Sequence, residues 1–122
     1  MINISNYING ELIPPINGQY IDLFDPSIGQ PYAKVPDANA ADVELAVAAG
    51  LRAFPAWAAT SITDRSRILN KIADLIEENL EPLAKAESVD NGKPVTLART
   101  VDIPRAAANF RFFAQAITQF AT

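Results

Sequence analysis

Residues 32–51 read YAKVPDANAADVELAVAAGL, and within that run the repeat of the chain changes. Up to Val35 the β-branched and aromatic residues cluster in short runs. Past Pro36 the apolar positions fall at Val43, Ala46, Val47, Leu51 and Phe54, which is helical spacing. Asn39 is placed to cap that helix, because its side-chain oxygen can accept from an otherwise unpartnered N–H of the first turn. Pro55 stands just beyond the last apolar position, where a helix end is expected. The chain therefore divides into a strand-rich first third and a helical remainder.

Working back from that boundary, two short hairpins are predicted. Tyr7-Ile8 and Glu11-Leu12-Ile13 flank Asn9-Gly10, a pair suited to a type I′ turn because both central residues need φ > 0. Pro14-Pro15 ends that pairing, and Asn17-Gly18 marks another turn. Runs 20–24 and 32–35 are joined by Asp25-Pro26-Ser27-Ile28-Gly29, with Pro at the first corner and Gly at the exit.

Working forward, Ser61 or Thr63 opens the next helix, and Ser61-x-x-Asp64 is a variant capping box. Its apolar stripe is Ile68 or Leu69, Ile72, Leu75, Ile76 and Leu80. Asn79 and Pro82 predict a break, followed by a short helix over 83–89 that Asp90-Asn91-Gly92 terminates. A last helix is expected from about Pro104, with Ile103, Ala106, Ala107, Phe110, Phe113, Ala114, Ile117 and Phe120 on one broad face that still runs at the final residue, Thr122. Two hairpins and four helices offer no long buried strand for the helices to cover, so these elements do not obviously close a core.

Composition narrows the chemistry. Of 122 residues 49% are hydrophobic and 20% charged, ordinary for a globular protein, and the formal net charge of −4 gives no footprint for nucleic acid or an anionic membrane. Cysteine and histidine are both absent, which excludes disulfides, thiolate nucleophiles and Ser-His-Asp triads from this chain. No apolar run approaches the ~20 residues of a membrane span, and residues 1–9 lack a secretory pattern. A cytoplasmic location is the expectation.

Most motifs fail on inspection. Gly92-Lys93 lacks the Gly at 87 and the Ser or Thr at 94 that a phosphate loop requires, those places holding Glu87 and Pro94. The five glycines form no G-x-G-x-x-G. Glu77, Glu78 and Glu87 read as solvated helix faces, and Asp90 reads as part of a helix-ending turn. Arg105 lies off the main apolar stripe of the last helix and shares a face with Asn109 and Phe112. Taken alone, it reads as a surface arginine lying over an aromatic ring.

Several blocks together resemble the aldehyde dehydrogenase superfamily: Asp25-Pro26-Ser27-x-Gly29, Ala53-Phe54-Pro55-Ala56-Trp57, Arg65-Ser66-Arg67-Ile68-Leu69 and residues 87–94, ESVDNGKP. The superfamily often has Asn where Asp25 stands. Residues 98–105 and 109–114 resemble the branch that oxidises 2-aminomuconic and 2-hydroxymuconic semialdehydes.

That resemblance implies an α/β parent, with this chain (residues 1–122) as the N-terminal segment of its NAD(P)-binding domain and the catalytic and oligomerisation parts absent. It implies NAD bound by other parts of the parent, a small-molecule aldehyde substrate and a homo-oligomer as full-length protein. The implied chemistry is cysteine attack on the aldehyde, hydride transfer to the nicotinamide and thioester hydrolysis, none of which this chain can perform alone. It further implies a monovalent cation held by the carbonyls of Leu23 and Phe24 with Asp90, and a substrate-binding role for Arg105, whose position faces the aldehyde channel in the family. Arg111, about 240° around the same helix, is expected to tolerate substitution better. A freestanding helical interaction module that binds another protein through its Phe and Ile faces is the competing expectation.

Overall fold

The computed structural model describes residues 1–120, so the end of the last apolar stripe at Ala121 and Thr122 lies outside the described residues. The chain forms two compact units, residues 1–59 and 60–122.

In the first unit, β2 (Asn6–Ile8) and β3 (Glu11–Ile13) form an antiparallel hairpin. Its turn has Asn9 at φ 54° and Gly10 at φ 81°, the doubly positive conformation that the Asn-Gly pair predicted. The second hairpin joins β4 (Tyr20–Asp25) to β5 (Gln30–Pro36). Gly29, at φ 66°, closes its turn by donating its N–H to the Asp25 carbonyl at 2.8 Å. The sequence reading missed β1 (Ile2–Asn3), which pairs parallel to β5 and makes a three-stranded sheet ordered β1-β5-β4. Two residues pairing with a strand some thirty positions away leave no local signature.

Helix α1 (Ala40–Ala58) begins at Asn39 as expected, but with a complete capping box. Asn39 Oδ1 accepts from the N–H groups of Ala41 and Asp42, and Asp42 Oδ2 accepts from the Asn39 N–H at 2.9 Å. The other Asp42 oxygen accepts from the Ile16 N–H, also at 2.9 Å. Pro55 does not end the helix; it lies inside it, three residues from the end. Residues 50–59 are all exposed, so water can replace the single donor that proline removes.

In the second unit, α2 (Ile62–Glu78) is capped by Ser61, whose Oγ accepts from the Asp64 N–H at 3.1 Å and whose hydroxyl donates to the Asp64 carboxylate at 2.8 Å. Helix α3 (Leu80–Asn91) starts three residues earlier than predicted. Pro82 is no break there, because in a first turn its missing N–H costs no hydrogen bond. Gly92, at φ 78°, terminates α3 in the left-handed conformation and donates to the Ser88 carbonyl at 2.9 Å.

The final helical stretch begins well before Pro104. A short α4 (Val95–Leu97) runs into a π-helical turn, Ala98–Asp102, and then α5 (Ile103–Ala116). Pro104 removes one N–H and crowds the carbonyl four residues back, and the widened turn immediately before it relieves that crowding. The turn also changes the partner of the helix. Ala98 and Ala107 are both fully buried, though in an unbroken α-helix nine residues would put them roughly 180° apart. The π turn packs on α3, whereas α5 packs chiefly on α2.

The buried apolar residues among those described are all alanines: Ala33 and Ala49 in the first unit, Ala73, Ala84, Ala98, Ala107 and Ala114 in the second. Among the described residues no large side chain is fully buried. Small residues let helices approach closely, but each buries little area, at ~0.8 kcal/mol per methyl-sized group. The expected broad face of α5 is therefore only half right. Ala107 and Ala114 are sealed, while Phe113 is 58% exposed and meets Phe112 edge-on at 5.2 Å between ring centroids.

Candidate functional site

The helical run from Val95 to Ala116 carries three arginines, and their environments differ. Arg99, in the π turn, grips Glu81 of α3 with both ends of its fork: Nε to Oε1 at 2.6 Å and Nη2 to Oε2 at 2.9 Å. The hydrogen bond to Arg99 holds the Glu81 carboxyl below its ordinary range. Arg111 reaches α2, donating to Asp74 at 2.9 Å and to Glu77. Arg111 is thus a half-buried tie between helices, and Glu77, on a helix face more than half exposed, is ion-paired as well.

Arg105, the third residue of α5, is exposed and makes no ion pair or hydrogen bond to the described residues through its side chain. Asn109 and Phe112, one and two turns on, are exposed on the same face, as their spacing predicted. That face thus offers a guanidinium fork, an amide and an aromatic ring. It can hold a carboxylate by two parallel charge-assisted hydrogen bonds and leave an apolar stem against the ring.

Beside it stands a pair that no motif suggested. Lys93, just past the end of α3, donates to Asp102 Oδ2 at 2.7 Å and lies 3.8 Å from Glu87, so Glu87 too has a charged neighbour. Both Lys93 and Asp102 are less than one-third exposed. The bond to Asp102 raises the Lys93 ammonium above its usual range, with burial opposing it and Glu87 adding a smaller push the same way. Nine residues separate the partners across a helix terminus, a distance at which no periodicity rule pairs side chains.

Of the residues expected to hold a cation, Leu23 and Phe24 belong to the first unit and Asp90 to the second. Leu23 and Phe24 lie on β4 at a register shift against β5. Asp90 is exposed in the last turn of α3. Gly10, Gly18 and Gly29 serve turns, Gly50 lies within α1, and a Cβ added to any of them would meet nothing within 4 Å. Among the described residues no helix is long and apolar enough to cross a membrane.

Short strands are followed by helices, with the Gly92 turn at its expected place, as in an N-terminal α/β segment, and the sequence profile of the aldehyde dehydrogenase family matches residues 14–122. This chain belongs to that family. It is 54% identical to the 2-aminomuconic semialdehyde dehydrogenase of Danio rerio over 114 residues, which are 93% of this chain and 23% of that protein. The enzyme of the same name from Homo sapiens is 48% identical over 114 residues, again 93% and 23%. Among solved structures, PnpE in complex with nicotinamide adenine dinucleotide is 43% identical, with a TM-score of 0.94 over 98% of this chain and 24% of that one. The chain spans about a quarter of the length of the relatives it matches.

Proposed function

We propose that residues 1–122 form the first segment of the NAD(P)-binding domain of an NAD-dependent aldehyde dehydrogenase, one that oxidises a carboxylate-bearing semialdehyde of the 2-amino- or 2-hydroxymuconic type to the acid. This chain has no cysteine, so the bond-making steps belong to the remainder of the polypeptide and its NAD. The contribution of this segment is recognition. Arg105 binds the carboxylate at the end of the substrate remote from the aldehyde, and so orients the aldehyde towards the nucleophile. The observation that supports this reading is that Arg105 is the arginine of its helical run left without an acidic partner among the described residues, where Arg99 and Arg111 are both paired. A homo-oligomeric parent belongs to the same proposal.

The test is Arg105→Ala in the full-length enzyme. KM for carboxylate-bearing semialdehydes should rise about tenfold or more, since truncating one partner of a desolvated charge pair costs ~2 kcal/mol or more. Neutral aldehydes should be nearly unaffected. Arg105→Lys should recover only part of the loss, because a point charge cannot reproduce the fork. Equal losses for charged and neutral substrates would return Arg105 to an ordinary surface arginine. The exposed apolar residues of α1 and α5 favour the interaction-module reading as a second possibility. A reading frame that continues past Thr122 to a reactive cysteine removes it.

A further inference from the structure

Asp102 and Arg105 stand three residues apart at the start of α5, the spacing at which an acid and a base on one helix face can pair. A carboxylate so placed is a built-in competitor. If it took the Arg105 guanidinium, it would occupy the donors that a substrate carboxylate needs. The structure shows Asp102 turned instead to Lys93, at 2.7 Å, and Arg105 without an ion pair among the described residues. Lys93 is itself held in place from both sides. Its N–H donates to Asn91 Oδ1 at 2.9 Å, and its carbonyl accepts from the Ser88 hydroxyl at 2.6 Å. The left-handed Gly92 turns the chain between them.

We infer that Lys93 is a positioning residue for substrate selection: by sequestering Asp102 it keeps the Arg105 fork available to an incoming carboxylate. This rests on the reading of Arg105 given above. Lys93 touches no substrate and acts only through which partner Asp102 takes. A purely structural Lys93–Asp102 pair makes a different forecast, namely that loss of either partner harms the enzyme alike, whatever the substrate. Sequestration forecasts that losing Lys93 is harmful, losing Asp102 is not, and losing both restores function.

The experiment uses the full-length enzyme with two six-carbon substrates, 6-oxohexanoate and hexanal. Lys93→Gln should raise KM for 6-oxohexanoate towards the value of Arg105→Ala, on the order of tenfold, with kcat and the hexanal kinetics held. Asp102→Asn alone should leave the preference between the two substrates unchanged. The double variant Lys93→Gln/Asp102→Asn should regain the wild-type preference. Hexanal turnover reports folding in every variant, and Lys93→Met repeats the test should the glutamine variant not fold. An unchanged preference in Lys93→Gln, a loss in Asp102→Asn equal to it, or a double variant that stays impaired would each overturn the inference. Arg105→Ala separates the two levels. If it leaves the preference unchanged, the reading of Arg105 itself fails. If it abolishes the preference while Lys93→Gln does not, only the sequestration fails.

Discussion

The carboxylate of Asp42 accepts a 2.9 Å hydrogen bond from the backbone N–H of Ile16, twenty-six residues earlier in the chain. Its second oxygen accepts from Asn39 at the same distance, and the residue is only 3% exposed. One side chain thus closes the cap of α1 and fixes the connection between the two hairpins. Asp42→Asn keeps the shape but can present an acceptor to only one of those donors. It should destabilise the protein by about 1–3 kcal/mol, the cost of leaving a buried N–H unsatisfied. Denaturant titration of the full-length protein measures this, and a midpoint equal to wild type would show that the second bond is dispensable.

Arg111 joins α5 to Asp74 and Glu77 of α2, next to a second link in which the Ser66 hydroxyl donates to the Ala114 carbonyl at 2.7 Å. Arg111→Met keeps the aliphatic stem and removes both ion pairs. Exposed pairs contribute little singly, but here one guanidinium serves two carboxylates. The thermal midpoint should fall by a few degrees while the preference between charged and neutral aldehydes holds. A changed preference with an unchanged midpoint would place Arg111 in the substrate path instead.

The Glu81–Arg99 pair sets an acid dependence. Hydrogen bonding to Arg99 lowers the Glu81 carboxyl in the folded state below the ordinary value near 4.5. The folded form therefore binds its proton less readily than the unfolded chain does. The resulting stabilisation is present above that ordinary value and is lost as pH falls through the lowered one. Thermal midpoints of wild type and Glu81→Gln should differ at neutral pH and converge under acid. A constant difference across the titration would assign the effect to packing.

The seven buried alanines leave large apolar side chains uncovered. Leu51 and Phe54 on α1 are 70% and 64% exposed, and Phe112 on α5 is 64% exposed. Each is worth ~1.5–3 kcal/mol when buried and promotes association when it is not. Residues 1–122 expressed alone should self-associate at micromolar concentration in sedimentation velocity. A monodisperse monomer with a sharp thermal transition would show that the alanine-lined packing suffices.

What the sequence determined by itself was local. Asn9-Gly10 fixed a hairpin because few residues other than Gly and Asn adopt consecutive positive φ angles readily, and Gly29 and Gly92 ended their turns for the same steric reason. Asn39 fixed the start of α1 because a cap needs only an oxygen within reach of the next two or three N–H groups. The blocks around Asp25, Trp57 and Gly92 carried the family, and the spacing of Arg105, Asn109 and Phe112 carried the shared face.

Tertiary structure decided everything that depends on distant partners. The parallel pairing of β1 with β5, the reach of Asp42 to Ile16, and the tie of Arg111 to α2 join residues roughly thirty positions apart, where many partners are possible in the chain and only packing selects one. Helix boundaries at Pro55 and Pro82 shifted because the penalty for proline depends on whether a particular N–H was needed, which the sequence does not reveal. The π turn at Ala98–Asp102 accompanies a change of packing partner along one helical run, the turn lying on α3 and α5 chiefly on α2, with both Ala98 and Ala107 buried. Whether Asp102 faces Lys93 or Arg105 was open in the sequence, since both are bases within reach of one carboxylate. The fold chose Lys93 by ending α3 where it does.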